Sequence, residues 1–334
     1  MSNNNNNSRN DDAALRAFLE RGLFTAATHP FEYAKILIQI GYEPLEPVSG
    51  RTLLGRVTLF YPNIFKYISY IVQRDGYLGL YRGLTPRLIG YALSGVVYQK
   101  VTKSIRFEGE TPETAELPLP DIVDPNEEAQ VVEGDVPGNS SKNFLRKLVK
   151  DLAGRIASVI VSQPFMVVAA RTCAQFVGRE SHYKGILPSF QEIFSREGIQ
   201  GLFAGITPRL IGEVLALVIS SSVTFAANQF VQTRELRGYV SLSVSVLVSS
   251  LTYPFHVVST TMAVNNSRIV AGLPPFTPLY GNWCECWRDL RQKNQLKRGA
   301  NVFFRLYPGP KIVIGGIAYP MGPTVTELPD HKML

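Results

Sequence analysis

Cysteine is scarce in this 334-residue chain. Three cysteines, Cys173, Cys284 and Cys286, are too few and too unevenly placed for a disulfide framework, and Cys284-x-Cys286 has no second ligand pair for zinc. The four histidines, His29, His182, His256 and His331, stand at no ligand spacing, so neither a metal site nor a cofactor is expected. No nucleophile–base set and no glycine loop built to cradle phosphate is present, and catalysis is not expected. The paired carboxylates Glu127 and Glu128 fall in an acidic stretch that reads as a loop. The Asn-rich beginning has neither the charged and apolar segments of a secretory signal nor the Arg-rich amphipathic pattern of a presequence, so residues 1–12 read as a disordered tail.

Positive charge is missing from one stretch and abundant elsewhere. From Phe107 to Ser141 there are ten acids and no Lys or Arg, and the rest of the chain carries 34 basic against 17 acidic side chains. So basic a body suits either nucleic acid or anionic lipid. Its basic residues flank apolar stretches and form no base-reading motif, which favours membrane lipids as partners over nucleic acid. The acidic loop, residues 107–143, reads as a solvated linker or as a docking surface for basic partner segments.

The chain repeats itself, and that organises the rest. Thr28-His29-Pro30-Phe31 returns as Ser162-Gln163-Pro164-Phe165 and as Thr252-Tyr253-Pro254-Phe255. A second element follows each copy. It is Gly79-Leu-Tyr-Arg-Gly-Leu-Thr-Pro-Arg-Leu-Ile-Gly90, then Gly201-Leu-Phe-Ala-Gly-Ile-Thr-Pro-Arg-Leu-Ile-Gly212, then the worn Asn301-Val-Phe-Phe-Arg-Leu-Tyr-Pro-Gly309. Three such pairs in one order divide the chain into repeats at 13–106, 144–233 and 234–334. Five stretches are long enough to cross a bilayer, which takes about 20 residues: 13–40, 84–105, 145–176, 206–231 and 239–264. Each mixes small and polar residues with the apolar ones, as helices packed around a polar interior do. Pro30, Pro164 and Pro254 lie inside the odd-numbered spans, where a proline removes a hydrogen bond and is expected to kink the helix. Amphipathic stretches such as 63–74 and 188–196 suit helices at the membrane surface. A sixth span is not supplied. After Pro308, prolines at 310, 320 and 323 and two glycines leave about ten residues, too few to cross.

Pro30-x-Glu32-x-x-Lys35 extended to Gln39, followed by Asp75-Gly76 and Tyr81-Arg82-Gly83, resembles the two-part signature of the mitochondrial carrier family, and the resemblance runs from about Ala13 to Pro308. Copy two keeps Pro164, Arg171, Glu197-Gly198 and Phe203-x-Gly205, but has Met166 and Ala169 in place of the acid and base; copy three has His256 and Ser259. The segments at 38–44, 177–185, 203–212, 251–255 and 262–266 are similar to a divergent outer-membrane branch, the mitochondrial carrier homologs. The fold implied is an all-α membrane protein, a degenerate three-repeat carrier with five complete spans, kinked odd helices and a missing or rudimentary sixth. The function implied is a multi-pass insertase of the mitochondrial outer membrane for α-helical, tail-anchored clients. Lipid scrambling and a pro-apoptotic protein partner are also implied. With one acid–base pair, Glu32 and Lys35, in place of a ring of three, alternating solute exchange is not expected. A divergent solute carrier and a non-transporting receptor or scaffold remain the alternatives. Candidate groove residues are the ionisable and amide side chains of the spans: Lys35, Glu32, Gln39, Arg171, Glu213, Asn228, Asn265 and Asn266. Arg87 and Arg209, at helix starts, read as headgroup anchors, and Tyr81 and Arg82 as parts of a conformation-fixing turn.

Overall fold

A computed structural model of the chain describes residues 22–52, 54–106, 140–231, 233–314 and 317–320. The tail at 1–12 and nearly all of the acidic loop lie outside them. Eight helices dominate: α1 (22–39), α2 (Ile64–Gly79), α3 (Leu84–Ser104), α4 (Ser140–Gly178), α5 (Ile186–Leu202), α6 (Ile206–Asn228), α7 (Arg234–Val264) and α8 (Trp283–Gln292). The helix expected from residue 145 begins at Ser140, inside the stretch assigned to the acidic loop.

Three of the five expected spans, within α4, α6 and α7, have the length and apolarity to cross a membrane. The described part of α1 and the whole of α3 fall short of that composition; α3 carries Arg87, Lys100 and Lys103. Helix α4 runs through Pro164 and α7 through Pro254. The chain divides into two compact units; it passes from the first to the second at Pro30 and just beyond Pro164 and Pro254, and returns after Gly83 and Gly205.

The first unit holds residues up to His29, Leu84–Met166 and Ile206–Phe255. Small residues bring its helices together. At Gly154 on α4 an added Cβ would lie 2.8 Å from Thr102 and 2.9 Å from Tyr98 of α3. One turn away, the buried Tyr98 hydroxyl donates to Asp151 at 2.9 Å. Phe144 near the start of α4 stacks on Phe225 near the end of α6, ring centroids 4.4 Å apart, so these helices run antiparallel.

The second unit holds Pro30–Gly83, Val167–Gly205 and His256–Leu334. Its core is apolar, with Tyr33, Leu37, Ile64, Tyr67, Val167 and Cys173 fully buried. Helix α1 stops at Gly41, whose φ of 92° is left-handed. The Gly41 and Tyr42 amides donate back to the carbonyls of Ile38 and Leu37, both at 3.0 Å, which closes a Schellman turn. Arg179 ends α4 in the same conformation, and Asn266 follows α7 at φ 54°.

The expectation of an all-α protein needs correction in this unit. Strands β1 (Val48–Arg51), β2 (Val57–Tyr61) and β3 (Arg305–Leu306) form an antiparallel sheet in that order, and β4 (Lys311–Ile314) and β5 (Ile317–Pro320) form a hairpin. The place expected to hold little or no sixth helix is therefore occupied by strands.

The sequence repeat explains this outcome. Gly83 and Gly205 sit at φ 81° and 74°, and each is followed at once by a helix, α3 or α6. A Cβ at Gly205 would lie 2.4 Å from the Ser259 carbonyl oxygen, and one at Gly83 would lie 2.9 Å from that of Ala169. Only glycine allows both the left-handed turn and this close approach. In the third repeat the same place, after Phe303-Phe304, holds Arg305. An arginine cannot make that turn cheaply. Its buried guanidinium bonds Glu43, donates to the Pro62 carbonyl at 3.0 Å and lies over the rings of Tyr61 and Tyr67. The chain accordingly runs on extended as β3, and Pro308 and Pro310 follow.

Gly205→Ala is expected to lower the melting temperature of the detergent-purified protein clearly, by about 1–3 kcal/mol of backbone strain. Gly238→Ala, on α7 with open space around it, should be neutral or slightly stabilising. Equal melting temperatures for the two variants would contradict the close-approach reading.

Candidate functional site

The ionisable residues of the spans do not form one array. In the first unit Arg155 of α4 faces Glu213 of α6, with Nε 3.9 Å from Oε2 and side chains 14% and 7% exposed. That distance is long for a charge-assisted bond, which is normally under 3 Å. The second carboxylate oxygen of Glu213 is buried and makes no hydrogen bond. Asn228, half-buried at the end of α6, likewise has a buried side-chain oxygen that accepts nothing. Both helices are apolar enough to span, so the site combines an underbonded carboxylate with an apolar setting. Arg155 was not among the residues singled out from sequence, although a lone arginine in the apolar run after Leu152 was a readable signal.

Arg87 and Arg209 are not headgroup anchors; both are buried. Arg209 donates to the Gln163 side chain at 2.8 Å and to the Ser162 hydroxyl at 3.4 Å. The second element of repeat two thereby holds its own proline element. Arg87 donates to the Tyr91 hydroxyl at 3.0 Å, one turn along α3. Their position in the sequence suggested exposure, but antiparallel packing of paired helices puts helix starts against helix middles.

In the second unit Lys35 and Glu32 form a loose pair at 3.8 Å on α1, partly exposed at 17% and 20%. Arg171 does not line a groove, for it is completely buried. It makes a two-pronged ion pair with Glu197 of α5, at 2.5 and 2.7 Å, and donates to the Ala263 carbonyl at 2.9 Å. Gln39 is buried and accepts from Thr260 at 3.0 Å, while its carbonyl accepts from Thr261 and Arg298. Burial pushes the Arg298 guanidinium down to about 10, which leaves it cationic at neutral pH. Asn265 is buried and bridges Pro278 and Tyr280, and Asn266 is an exposed left-handed residue beyond the helix end. These two asparagines shape a turn. Arg82 pairs with Asp75 at 2.8 Å in the turn before α3. Where family resemblance would place acid–base pairs, Ala169 is buried and the Ser259 hydroxyl donates to the Gly205 carbonyl at 2.9 Å, so neither contributes charge. Among the described residues no cluster of His, Cys, Asp and Glu could hold a metal ion.

The repeats, their glycine turns and the internal polar contacts define a class of membrane protein. Residues 17–106 and 140–235 match the mitochondrial carrier protein family, and the chain belongs to it. Within that family it is similar to mitochondrial carrier homolog 2 of Homo sapiens, 36% identical over 306 residues that cover 89% of this chain and 95% of the relative. It is equally similar to mitochondrial carrier homolog 1 of Mus musculus, 36% identical over 84% of this chain and 74% of that one. The mitochondrial nicotinamide adenine dinucleotide transporter 1 of Saccharomyces cerevisiae matches at 27% over 46% of this chain and 35% of that one. The chain is a mitochondrial membrane protein of mostly helical structure.

Arg171→Met strands the Glu197 carboxylate, and removal of one partner from a buried pair typically costs about 3–5 kcal/mol. The melting temperature should fall by several degrees, and the Arg171→Met/Glu197→Leu double variant should recover most of the loss. A single variant as stable as the parent would show that the pair does not hold α4 to α5.

Proposed function

We propose that this chain is an insertase of the mitochondrial outer membrane for α-helical, tail-anchored proteins, working through polar groups that its spans present at membrane depth. The observation that carries this reading is the Arg155–Glu213 pair. It is long, one carboxylate oxygen lacks a bond, and it sits between two apolar spans. A charged group at the centre of a bilayer is disfavoured by about 2.5–3.5 kcal/mol on insertion scales, so it draws in water and headgroups. Wet, locally thinned lipid lowers the barrier for passing a short hydrophilic tail, and the same route would serve a lipid headgroup. The reading is supported by the third repeat, which follows α7 with α8 and strands instead of a second span. It is supported too by the outer face of α7, where Tyr239, Leu242, Val246 and Leu247 are more than half exposed. Exchange of a bound solute by alternating closure is disfavoured because charge is absent at Met166, Ala169, His256 and Ser259 in its usual acid–base form.

The test is insertion of a tail-anchored client into liposomes carrying the purified protein. Glu213→Gln keeps the volume and removes the charge. It should slow insertion about fivefold, the effect of ~1 kcal/mol, with helix content unchanged. Glu213→Arg, set against Arg155, should slow it further. Insertion at the parental rate by both variants would overturn the site. Stabilisation of the parent by one metabolite in a thermal-shift screen would point to solute carriage instead.

A further inference from the structure

We propose that the β4–β5 hairpin is an interfacial membrane anchor, a two-stranded element seated among the headgroups of an anionic bilayer. Cross-strand pairing places Ile312 opposite Tyr319 and Ile314 opposite Ile317 on one face, and Lys311 opposite Pro320 and Val313 opposite Ala318 on the other. The second face meets the β1–β2 sheet through Ala318 and Lys311, while its Val313 is 49% exposed. Ala318 is buried, its amide donates to the Ser49 hydroxyl at 2.8 Å, and the Lys311 ammonium bonds Thr58. The first face is left open, with Ile312, Ile317 and Tyr319 exposed by 45%, 48% and 46%. A row of β-branched and aromatic side chains facing water is unfavourable, and a paired apolar strand is also prone to aggregate.

Other features of the second unit favour lipid as the occupant. The aromatic rings of Phe31, Phe65 and Phe303 touch in sequence, at 5.9 and 6.0 Å, and each is substantially exposed. Exposed charge on the strands and their connections is mostly positive: Arg51, Arg56, Lys66 and Lys311 stand against Glu46 alone among the described residues of 43–66 and 301–320. Apolar and aromatic side chains with a basic rim are the complement of an anionic headgroup layer. Depth is bounded by the backbone. A two-stranded hairpin keeps unpaired amide and carbonyl groups on its edges, and hydrocarbon offers them no partner. The hairpin therefore lies in the interface and does not span. The inference concerns attachment of the second unit and is independent of the insertase reading.

The test places one environment-sensitive fluorophore on the hairpin of the full chain. Ile317→Cys is labelled in a Cys284→Ser background, since Cys173 and Cys286 are buried. The protein is reconstituted into vesicles of neutral lipid with and without anionic lipid. Quenching by nitroxides at the headgroup or shallow acyl positions is expected to be at least twice that by aqueous iodide or by deep-chain nitroxide, and stronger with anionic lipid. Full quenching by iodide would overturn the proposal. So would shielding from every quencher, which would mean that another part of the chain or a second copy covers the face. A label at Tyr319→Cys must report the same depth.

Discussion

The fold turns on one side chain in the third repeat. In the first two repeats a left-handed glycine, Gly83 or Gly205, lets the chain fold against a neighbouring carbonyl and start a helix immediately. In the third, Arg305 occupies that place and is drawn the other way, to Glu43, the Pro62 carbonyl and two tyrosine rings. Burying a guanidinium is tolerable only with such a set of partners. Burial raises the affinity of the Glu43 carboxyl for its proton, and the nearby Arg305 charge opposes that shift. Once the arginine is satisfied, residues 305–306 join β2, and Lys311–Ile314 pairs with Ile317–Pro320 as a hairpin.

This single local choice has consequences at both ends of the molecule's chemistry. It removes a helix that would follow α7 and places strands in the second unit, where no carrier-type helix pattern would have put them. Within the first unit the pairs made across α4 and α6 grade from well bonded, Arg209 with Gln163 at 2.8 Å, to poorly bonded, Arg155 with Glu213 at 3.9 Å.

Much of the architecture was legible from repeated residues. The proline elements marked α1, α4 and α7, the second elements of the first two repeats marked α3 and α6, and the amphipathic stretches between them became α2 and α5. Composition named the polar residues of the spans but not their partners, because partners come from other helices far along the chain. Arg171 looked like a groove cation until Glu197, 26 residues on, closed over it. Arg87 and Arg209 looked exposed because helix starts often are. The strands were missed because Val48–Arg51 is short and holds a glycine, and because the residues after Pro308 were judged only for whether they could span.

The account depends most directly on the path of the chain after Arg305. Spin labels at Val48 and Tyr319 in the bilayer-reconstituted protein report it. Strand β5 lying against β1, with Ala318 bonded to Ser49, predicts a narrow distance distribution centred below roughly 20 Å. If residues 310–320 instead continued as a membrane helix, its rise of 1.5 Å per residue would carry the second label about 15 Å further away. A distribution centred there would contradict the account.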